Sequence, residues 1–436
     1  MNLTLTPFLL IKFDSDPIFT DHITSPTDPN PMTINTNALF GNLRVVEIAS
    51  MILAPSASVL LADFGAEVIK IEPPVTGDLN RQWHKINGLP VSEMAYAFQV
   101  DNRNKKSVVL DLKSSEGYEA FCKIVADADV LVTNYRLKAL EKLKLDYDTI
   151  RKLNPKIIYA LATGFGERGE EAHRPGYDTV SYWSRSGIEH QVFPYAGWLA
   201  QFPYGSGDHP SGMALFGSIM TGLYQREKTG EGCKVSTSLL ANGAWSNAVM
   251  LQAQLSGATF REKRPRDNAY NFISLHYPTI DNRLLKMSMV NTAKDWRPFC
   301  NAIDRNDLPE DSRFCDNEAR IANMPTLIKE LSETIAKLTI DHVTRKLEEA
   351  DVPHTVVSNY EEAANDKQKE INGIIIPLEH PEFGPMRTIN SPFEVSGAAK
   401  ISPKAAPSLG EHTAEVLTQF GYSYAEIKSL TEPVSE

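Results

Sequence analysis

Residues 43–71 contain a short apolar run, then small and apolar residues at helical spacing, then a second apolar run. The runs at 43–48 and 67–71 predict buried strands, and the stretch at 54–64, which stops before Gly65, predicts a helix. Two strands joined by one helix pair as parallel neighbours with a right-handed crossover. Because a parallel sheet is apolar on both faces, helices have to cover it. The chain is therefore constrained to an α/β fold.

The same alternation of strand and helix continues along the chain. It predicts strands at 107–111, 130–133, 157–163 and 234–240, with helices at 116–126, 137–143, 147–153, 213–228 and 241–255. This pattern favours an open, Rossmann-like parallel sheet. The sequence has no Gly-x-Gly-x-x-Gly motif after its first strand, so a dinucleotide site is not predicted.

A change of composition marks a second region. Several charges and two prolines, Pro265 and Pro278, lie between residues 257 and 291. The change predicts the start of a mixed domain, with amphipathic helices at 296–303 and 324–338. Residues 14–37 are rich in Asp, Thr, Pro and Asn and show no periodicity, which indicates a disordered extension.

Composition also narrows the class of protein. The formal net charge of −11 argues against nucleic acid as a partner. The longest apolar stretches fall short of the ~20 residues that span a bilayer, so no membrane partner is expected. The four cysteines lack Cys-x-x-Cys spacing, so neither a metal site nor a disulfide framework is predicted. Such cysteine usage favours a reducing, cytoplasmic location.

The segment from Gly205 to Met213 places one carboxylate, Asp208, among three glycines, a proline and two serines. Glycine admits positive φ and the close approach of a ligand. An apolar helix that begins just after this loop would direct its free N–H groups and positive dipole end at the carboxylate. That arrangement suits a carboxylate held ionised as a nucleophile. An ordinary turn with Asp208 as the helix N-cap is the alternative.

Short motifs occur in a fixed order along most of the chain. They are GNLRVVEIA at 41–49, LADFGAEVIKIEP at 61–73, NRNKKS at 102–107, LDLK at 110–113, DVLVTNY at 129–135, PGYD at 175–178 and LGEHTAEVL at 409–417. Together with Gly207-Asp208, this series resembles the class III CoA-transferase family over about residues 40–430. The resemblance implies a CoA-transferase.

The resemblance also implies an architecture. Members of that family have a large α/β domain built from both ends of the chain, a smaller inserted α+β domain, and two interlocked subunits. We therefore expect an interlocked homodimer. The expected division is a disordered extension at 1–38, the first part of the large domain at 39–225, the small domain with linkers at 226–340, and the rest of the large domain at 341–436.

By the same resemblance, Asp208 is the catalytic nucleophile. It would form a mixed anhydride with the acyl group and then an aspartyl-CoA thioester that a carboxylic acid acceptor resolves. CoA and acyl-CoA are then substrates, and no tightly bound cofactor is expected. The positions implied for CoA contacts are Ile52, Leu53, Pro73, Leu110, Lys113, Asn134, Tyr135, Arg136, Lys142, Tyr177 and Asp178. Those implied for the substrate channel are Arg81, Trp83, Gly207 and His209.

The substrate acid is expected to be medium-sized and apolar or aromatic. Formyl-CoA transferase has Gln where this chain has Ile52, so an oxalate and formate pair is not favoured. Ile52 and Leu53 are apolar, and four aromatic residues are expected near the site: Tyr182, Trp183, Trp198 and Phe202.

Two alternatives stay open. A 2-methylacyl-CoA racemase or epimerase of the same fold needs a second acid/base, and racemases keep a His where this chain has Tyr177. A non-catalytic CoA-binding protein is the second alternative, and the intact Gly207-Asp208 pair argues against it.

Overall fold

The computed structural model describes residues 38–192, 202–289 and 292–431. The extension expected to be disordered, 1–38, lies outside the described residues except for its last residue. Trp198 also lies outside them. No helix within the described ranges is long and apolar enough to cross a membrane.

A six-stranded parallel sheet forms the centre of the larger part of the fold. Its strands are β1 (Arg44–Ile48), β2 (Glu67–Glu72), β3 (Lys106–Val109), β4 (Val130–Thr133), β5 (Ile158–Thr163) and β6 (Cys233–Ser238). The spatial order is β3-β2-β1-β4-β5-β6, and every pairing is parallel. This confirms the predicted open, Rossmann-like sheet. The order reverses between β1 and β4, and ligands of such sheets bind at that reversal.

Helices cover both faces of the sheet because neighbouring strand residues point to opposite sides. Val45 belongs to an apolar core that includes Leu61 and Leu215, whereas Val46 belongs to a second core that includes Phe121 and Val416. The helices of this part are α1 (Leu53–Asp63), α2 (Tyr96–Asn102), α3 (Ser115–Ala126), α4 (Leu137–Lys142), α5 (Tyr147–Leu153), α6 (Ile188–Val192), α7 (Asp208–Thr229), α8 (Leu239–Ser246) and α9 (Ala248–Leu255).

A smaller unit is built on an antiparallel sheet. Its strands are β7 (His276–Pro278), β8 (Leu284–Met287) and β9 (His354–Val356), and its helices are α10 (Thr292–Ala302), α11 (Asn317–Ala322), α12 (Met324–Ile335) and α13 (Ile340–Glu349). These elements enclose a core of their own, centred on Phe299, Leu331 and Leu347.

The chain then returns to the large sheet. Two short helices, α14 (Tyr360–Ala364) and α15 (Lys367–Ile371), lead into a hairpin of β10 (Ile375–His380) and β11 (Gly384–Ile389). The last helices, α16 (Thr413–Gln419) and α17 (Tyr424–Thr431), pack on the same core as α3. The large domain is therefore built from both ends of the chain, as the resemblance implied.

Several element boundaries differ from the sequence-based expectations. β6 pairs along its whole length with β5 in the large sheet, although the expected small domain was 226–340. Helix α13 and β9 lie in the smaller unit, although 341–436 was assigned to the large domain, because the apolar stripe of α13 fills that unit's core. The helix expected at 241–255 is two helices that meet at Asn247. Helix α7 begins at Asp208 rather than at residue 213.

Candidate active site

A cavity of about 440 Å³ opens at the carboxyl edge of the large sheet. Its walls come from the segments that follow β1, β2, β4, β5 and β6, so it includes the reversal of strand order between β1 and β4. The described residues that line it are Ser50, Met51, Ile52, Leu53, Leu79, Trp83, Asn134, Tyr135, Arg136, Ala139, Ala162, Thr163, Gly164, Pro175, Gly176, Tyr177, Asp178, Thr179, Tyr204, Gly205, Asp208 and Leu239.

Asp208 is the first residue of α7 and lines this cavity. The helix N-cap is Gly207 and not Asp208, so the alternative in which Asp208 caps the helix is wrong. The amide N–H groups of a first helical turn and the positive end of the helix dipole lie beside a side chain at this position. A carboxylate here can act as a nucleophile, and the N–H groups beside it can stabilise the oxyanion that forms on an attacked carbonyl.

Two different structural constraints require glycine beside Asp208. Gly205 has a φ of +75°, in the left-handed region that favours glycine. Gly207 has no room for a side chain, because a Cβ there would lie 2.8 Å from the Tyr182 ring and 2.9 Å from Cβ of Asp178. The glycines therefore allow α7 to begin directly against its neighbours.

Electrostatics at Asp208 differ from the expectation of a fully ionised carboxylate. Burial, then the neighbouring carboxylate of Asp178, raises the pKa of Asp208 to about 8, although the His209 ring opposes the shift. Desolvation is therefore the largest cause of the raised pKa of Asp208. A carboxyl group with such a pKa is a stronger nucleophile once ionised than an ordinary aspartate.

Hydrogen bonds hold the loop after β1 in the cavity wall. Nδ2 of Asn134 donates to the Ser50 carbonyl oxygen at 2.7 Å, and the Ser50 N–H donates to Oδ1 of Asn134 at 3.1 Å. The Met51 N–H, at a positive φ of 70°, donates to Oδ1 of Asp78 at 2.9 Å. Asn134 therefore holds the loop by hydrogen bonds and also lines the cavity.

A cluster of buried charged side chains supports that loop through Asp78. Lys70, fully buried in β2, donates to Oε1 of Glu47 at 2.5 Å and pairs with Oδ2 of Asp78 at 2.8 Å. Lys105 donates to the other Glu47 oxygen at 2.7 Å. Although burial opposes the shift, Lys105 and Lys70 lower the pKa of Glu47 to about 2. The sequence interpretation missed this cluster. Its signal was a charged residue inside each of two buried strands, Glu47 in β1 and Lys70 in β2.

The cavity brings together many of the residues expected in the site. Among the expected CoA contacts, seven line it: Ile52, Leu53, Asn134, Tyr135, Arg136, Tyr177 and Asp178. Trp83 lines it too, with its ring 5.8 Å from that of Tyr204, a residue that the sequence interpretation missed. Tyr204 could have been found only as an aromatic residue beside Gly205.

Other expected site residues lie away from the cavity lining. Leu110 is buried in the core, whereas Pro73, Lys113 and Lys142 are exposed. Arg81 makes two hydrogen bonds to the Glu72 carboxylate, at 2.8 and 2.7 Å, so its guanidinium is already paired. Gly207 and His209 flank Asp208 without lining the cavity.

The described aromatic residues that were expected near the site, Tyr182, Trp183 and Phe202, pack on one another but do not line the cavity. Tyr182 is buried, with its hydroxyl 2.6 Å from that of Ser246. Trp183 stacks on Phe202 with the ring centres 4.0 Å apart. Within 38–192, 202–289 and 292–431, no three His, Cys, Asp or Glu side chains are grouped to hold a metal ion.

An open parallel sheet with a cavity at its strand reversal and a carboxylate at a helix start defines an α/β protein with a ligand site. The model of CoA-transferase family III matches residues 41–413, and the chain belongs to this family. The expected enzyme class, a CoA-transferase, is thereby confirmed.

Named relatives cover most of the chain. The (R)-2-hydroxy-4-methylpentanoate CoA-transferase of Clostridioides difficile is 31% identical over 90% of this chain and 98% of its own. The cinnamoyl-CoA:phenyllactate CoA-transferase of Clostridium sporogenes is 32% identical over 92% and 97%. A CAIB/BAIF family protein from Brucella suis has a similar solved structure, with a TM-score of 0.77 and 26% identity over 88% of this chain and 100% of that one.

Proposed function

We propose that this CoA-transferase works through Asp208 as a covalent nucleophile. The observation that carries the proposal is the position of Asp208 at the start of α7, in the wall of the cavity at the strand reversal. The raised pKa of this carboxyl supports the assignment, because perturbed groups in clefts are candidates for catalysis.

The chemistry is a double exchange at one carboxylate. An Asp208 oxygen attacks the carbonyl carbon of the donor thioester, and the C–S bond breaks. CoA thiolate is released, and the acyl group stays on Asp208 as a mixed anhydride. The thiolate attacks the aspartyl carbonyl, releasing the donor acid and forming an aspartyl-CoA thioester. The acceptor carboxylate then attacks that thioester, and the returning thiolate attacks the acceptor carbonyl and frees Asp208. N–H groups at the start of α7 favour the anionic intermediates.

CoA binding is proposed to begin at the cavity and extend to the surface. Arg136, at the start of α4, lines the cavity and can pair with a phosphate. Lys113 and Lys142 are exposed cations that could meet the more distant phosphates. Tyr135 and Tyr177 supply aromatic surface in the lining.

The chemical test separates transfer from racemisation. After incubation with acyl-CoA and an acid quench, we expect intact-protein mass spectrometry to show CoA attached, and peptide mapping to place it on Asp208. In D₂O, a 2-methylacyl-CoA should gain no deuterium at Cα, because the racemase histidine is replaced by Tyr177. Rapid deuterium uptake without a CoA adduct would instead support the racemase alternative.

We further propose a medium-sized apolar or aromatic acid. Apolar side chains of Ile52, Leu53, Leu79 and Leu239 line the cavity with the Trp83 ring. The two relatives named above act, by their names, on 2-hydroxy-4-methylpentanoate and on phenyllactate.

A panel of acceptor acids tests this. Since each buried methylene contributes about 0.8 kcal/mol, 4-methylpentanoate and 3-phenylpropanoate should exceed acetate by at least ~30-fold in kcat/KM. Trp83→Ala should reduce the preference for the phenyl acid more than for the branched one. Oxalate or succinate as the best acceptor would contradict the proposed acid class.

A homodimer is proposed for the assembly. Large apolar side chains are exposed along α8 and α9, among them Trp245, Val249 and Leu255, which are 81%, 75% and 81% exposed. A patch of this kind usually marks a protein contact. The free cysteines of the described chain fit the cytoplasmic location that we propose with it.

A further inference from the structure

His209, the second residue of α7, is held at both ring nitrogens. Its Nδ1 lies 3.0 Å from the Gly205 carbonyl oxygen, and its Nε2 lies 3.1 Å from Oδ1 of Asp101. A carbonyl oxygen is an acceptor, and so is an ionised carboxylate. Each ring nitrogen therefore has to donate, and only the imidazolium carries a hydrogen on both.

The Asp101 carboxylate is suited to maintain that charge. It comes from α2, on a separate part of the chain, and its side chain is only 2% exposed. Although burial opposes the shift, the hydrogen bond to Asp101 and the nearby Asp208 charge raise the pKa of His209. The same ring bonds the Gly205 carbonyl and so closes the turn that carries Asp208.

We propose that the pair of His209 and Asp101 is a positioning device for the nucleophile. The imidazolium fixes the turn from Gly205 to Asp208 and places one positive charge beside the Asp208 carboxylate. The inference rests on the proposed role of Asp208. Because His209 does not line the cavity, it acts through its neighbour and not on the substrate, which revises its expected place in the substrate channel.

The surrounding charges explain why this cation matters. Asp208 faces two further carboxylates, Asp178 and Asp101, and both favour its protonated form. His209 is the neighbour that opposes them. Asp101 in turn faces the buried Lys105 ammonium as well as the His209 ring. Removal of the imidazolium leaves two carboxylates near Asp208 without the neighbouring cation.

The test is the pH profile of kcat/KM for CoA transfer, which reports groups of the free enzyme. In His209→Gln, we expect the acidic limb to move to higher pH by roughly one unit, which lowers kcat/KM near neutral pH by about tenfold. At pH values above the shifted acidic limb, the kcat/KM of His209→Gln should equal that of the wild type. Asp101→Asn keeps a polar partner for the His209 ring but no longer stabilises its positive charge, which should also move the acidic limb to higher pH. The movement should be smaller, because the variant removes a negative charge that itself raises the pKa of Asp208.

A matched control comes from the smaller unit. There, Nε2 of His342 lies 2.8 Å from Oδ2 of Asp304, a His–Asp pair with a more exposed carboxylate, far along the chain from the cavity residues. His342→Gln should leave the pH profile unchanged. Thermal unfolding of all three variants checks that each is folded.

The outcomes separate the two proposals. If Asp208→Ala is inactive and His209→Gln keeps the wild-type rate and acidic limb at every pH, the positioning role is wrong and the proposed nucleophile stands. If Asp208→Ala remains active, the proposed function fails first. Should both site variants fail to fold, ¹⁵N spectra of labelled histidines in the wild type decide: loss of every imidazolium by pH 8 would overturn the inference, and persistence of one assigned to His209 would support it.

Discussion

Asp208→Ala is expected to lower the rate of CoA transfer by at least about 10⁴-fold, the scale seen when a covalent nucleophile is removed. The reason is that every step of the proposed exchange forms or breaks a bond to this carboxylate. Alanine retains the helical position and removes a group whose ionisation is opposed by burial. CoA affinity should stay within a few-fold of wild type, as measured by calorimetry.

Conservative variants sharpen this result. Asp208→Asn keeps the shape but lacks a nucleophilic oxygen with negative charge, so it should be as inactive as alanine and show no CoA adduct. Asp208→Glu keeps the charge but displaces it by about 1 Å, which can cost on the order of a hundredfold. More than about 1% residual turnover in Asp208→Ala would exclude the covalent route, given the size of the expected loss.

Lys70→Met should destabilise the protein by about 3–5 kcal/mol, the usual range when one partner of a buried ion pair is removed. Lys70 is 0% exposed and neutralises both Glu47 and Asp78. Methionine has a similar length, so the cavity left in the core is small. The loss comes from Asp78, which is left without its cation, and from Glu47, which keeps only Lys105. Urea unfolding followed by circular dichroism measures the change.

A surface pair serves as the control. Lys329 lies 3.9 Å from Glu333 on α12, with both side chains mostly exposed, and Lys329→Met should not change the midpoint measurably. Lys70→Met should also reduce activity at temperatures where it is folded, because Asp78 holds Met51 in the cavity wall. Equal stabilities of the two variants would show that the cluster contributes little.

Most strands of the large sheet could be predicted because they are short, mainly apolar runs bounded by turn residues, whereas β6 alternates polar and apolar residues. The predicted and observed positions of β4 are identical, at residues 130–133. The start of α7 was missed because His209, Pro210 and Ser211 are not apolar, yet Pro is well suited to the first turn of a helix. The expected domain bounds differ at β6 and α13 because local patterns do not say which sheet a strand joins or which core a helix packs on.

The candidate site was only partly predictable for a related reason. Asp208 stood out through its glycines, and resemblance supplied Asn134 and Trp83. Leu239 comes from a distant segment whose local sequence carries no signal of a shared cavity, and Tyr204 could have been found only through its place beside Gly205. The partners of Arg81 and His209, which are Glu72 and Asp101, could not be predicted because they come close only once the chain is folded.

By itself, the sequence determined the α/β class, the family and the carboxylate on which the chemistry is proposed to depend. These follow from periodicity, from glycine and from ordered motifs, which are properties of short segments. The tertiary structure alone decided the ionisation of Asp208, the pairing of His209 with Asp101 and the buried cluster around Lys70. Electrostatic energies depend on distance and burial, and both are set by residues far apart in the chain that folding brings within a few ångströms.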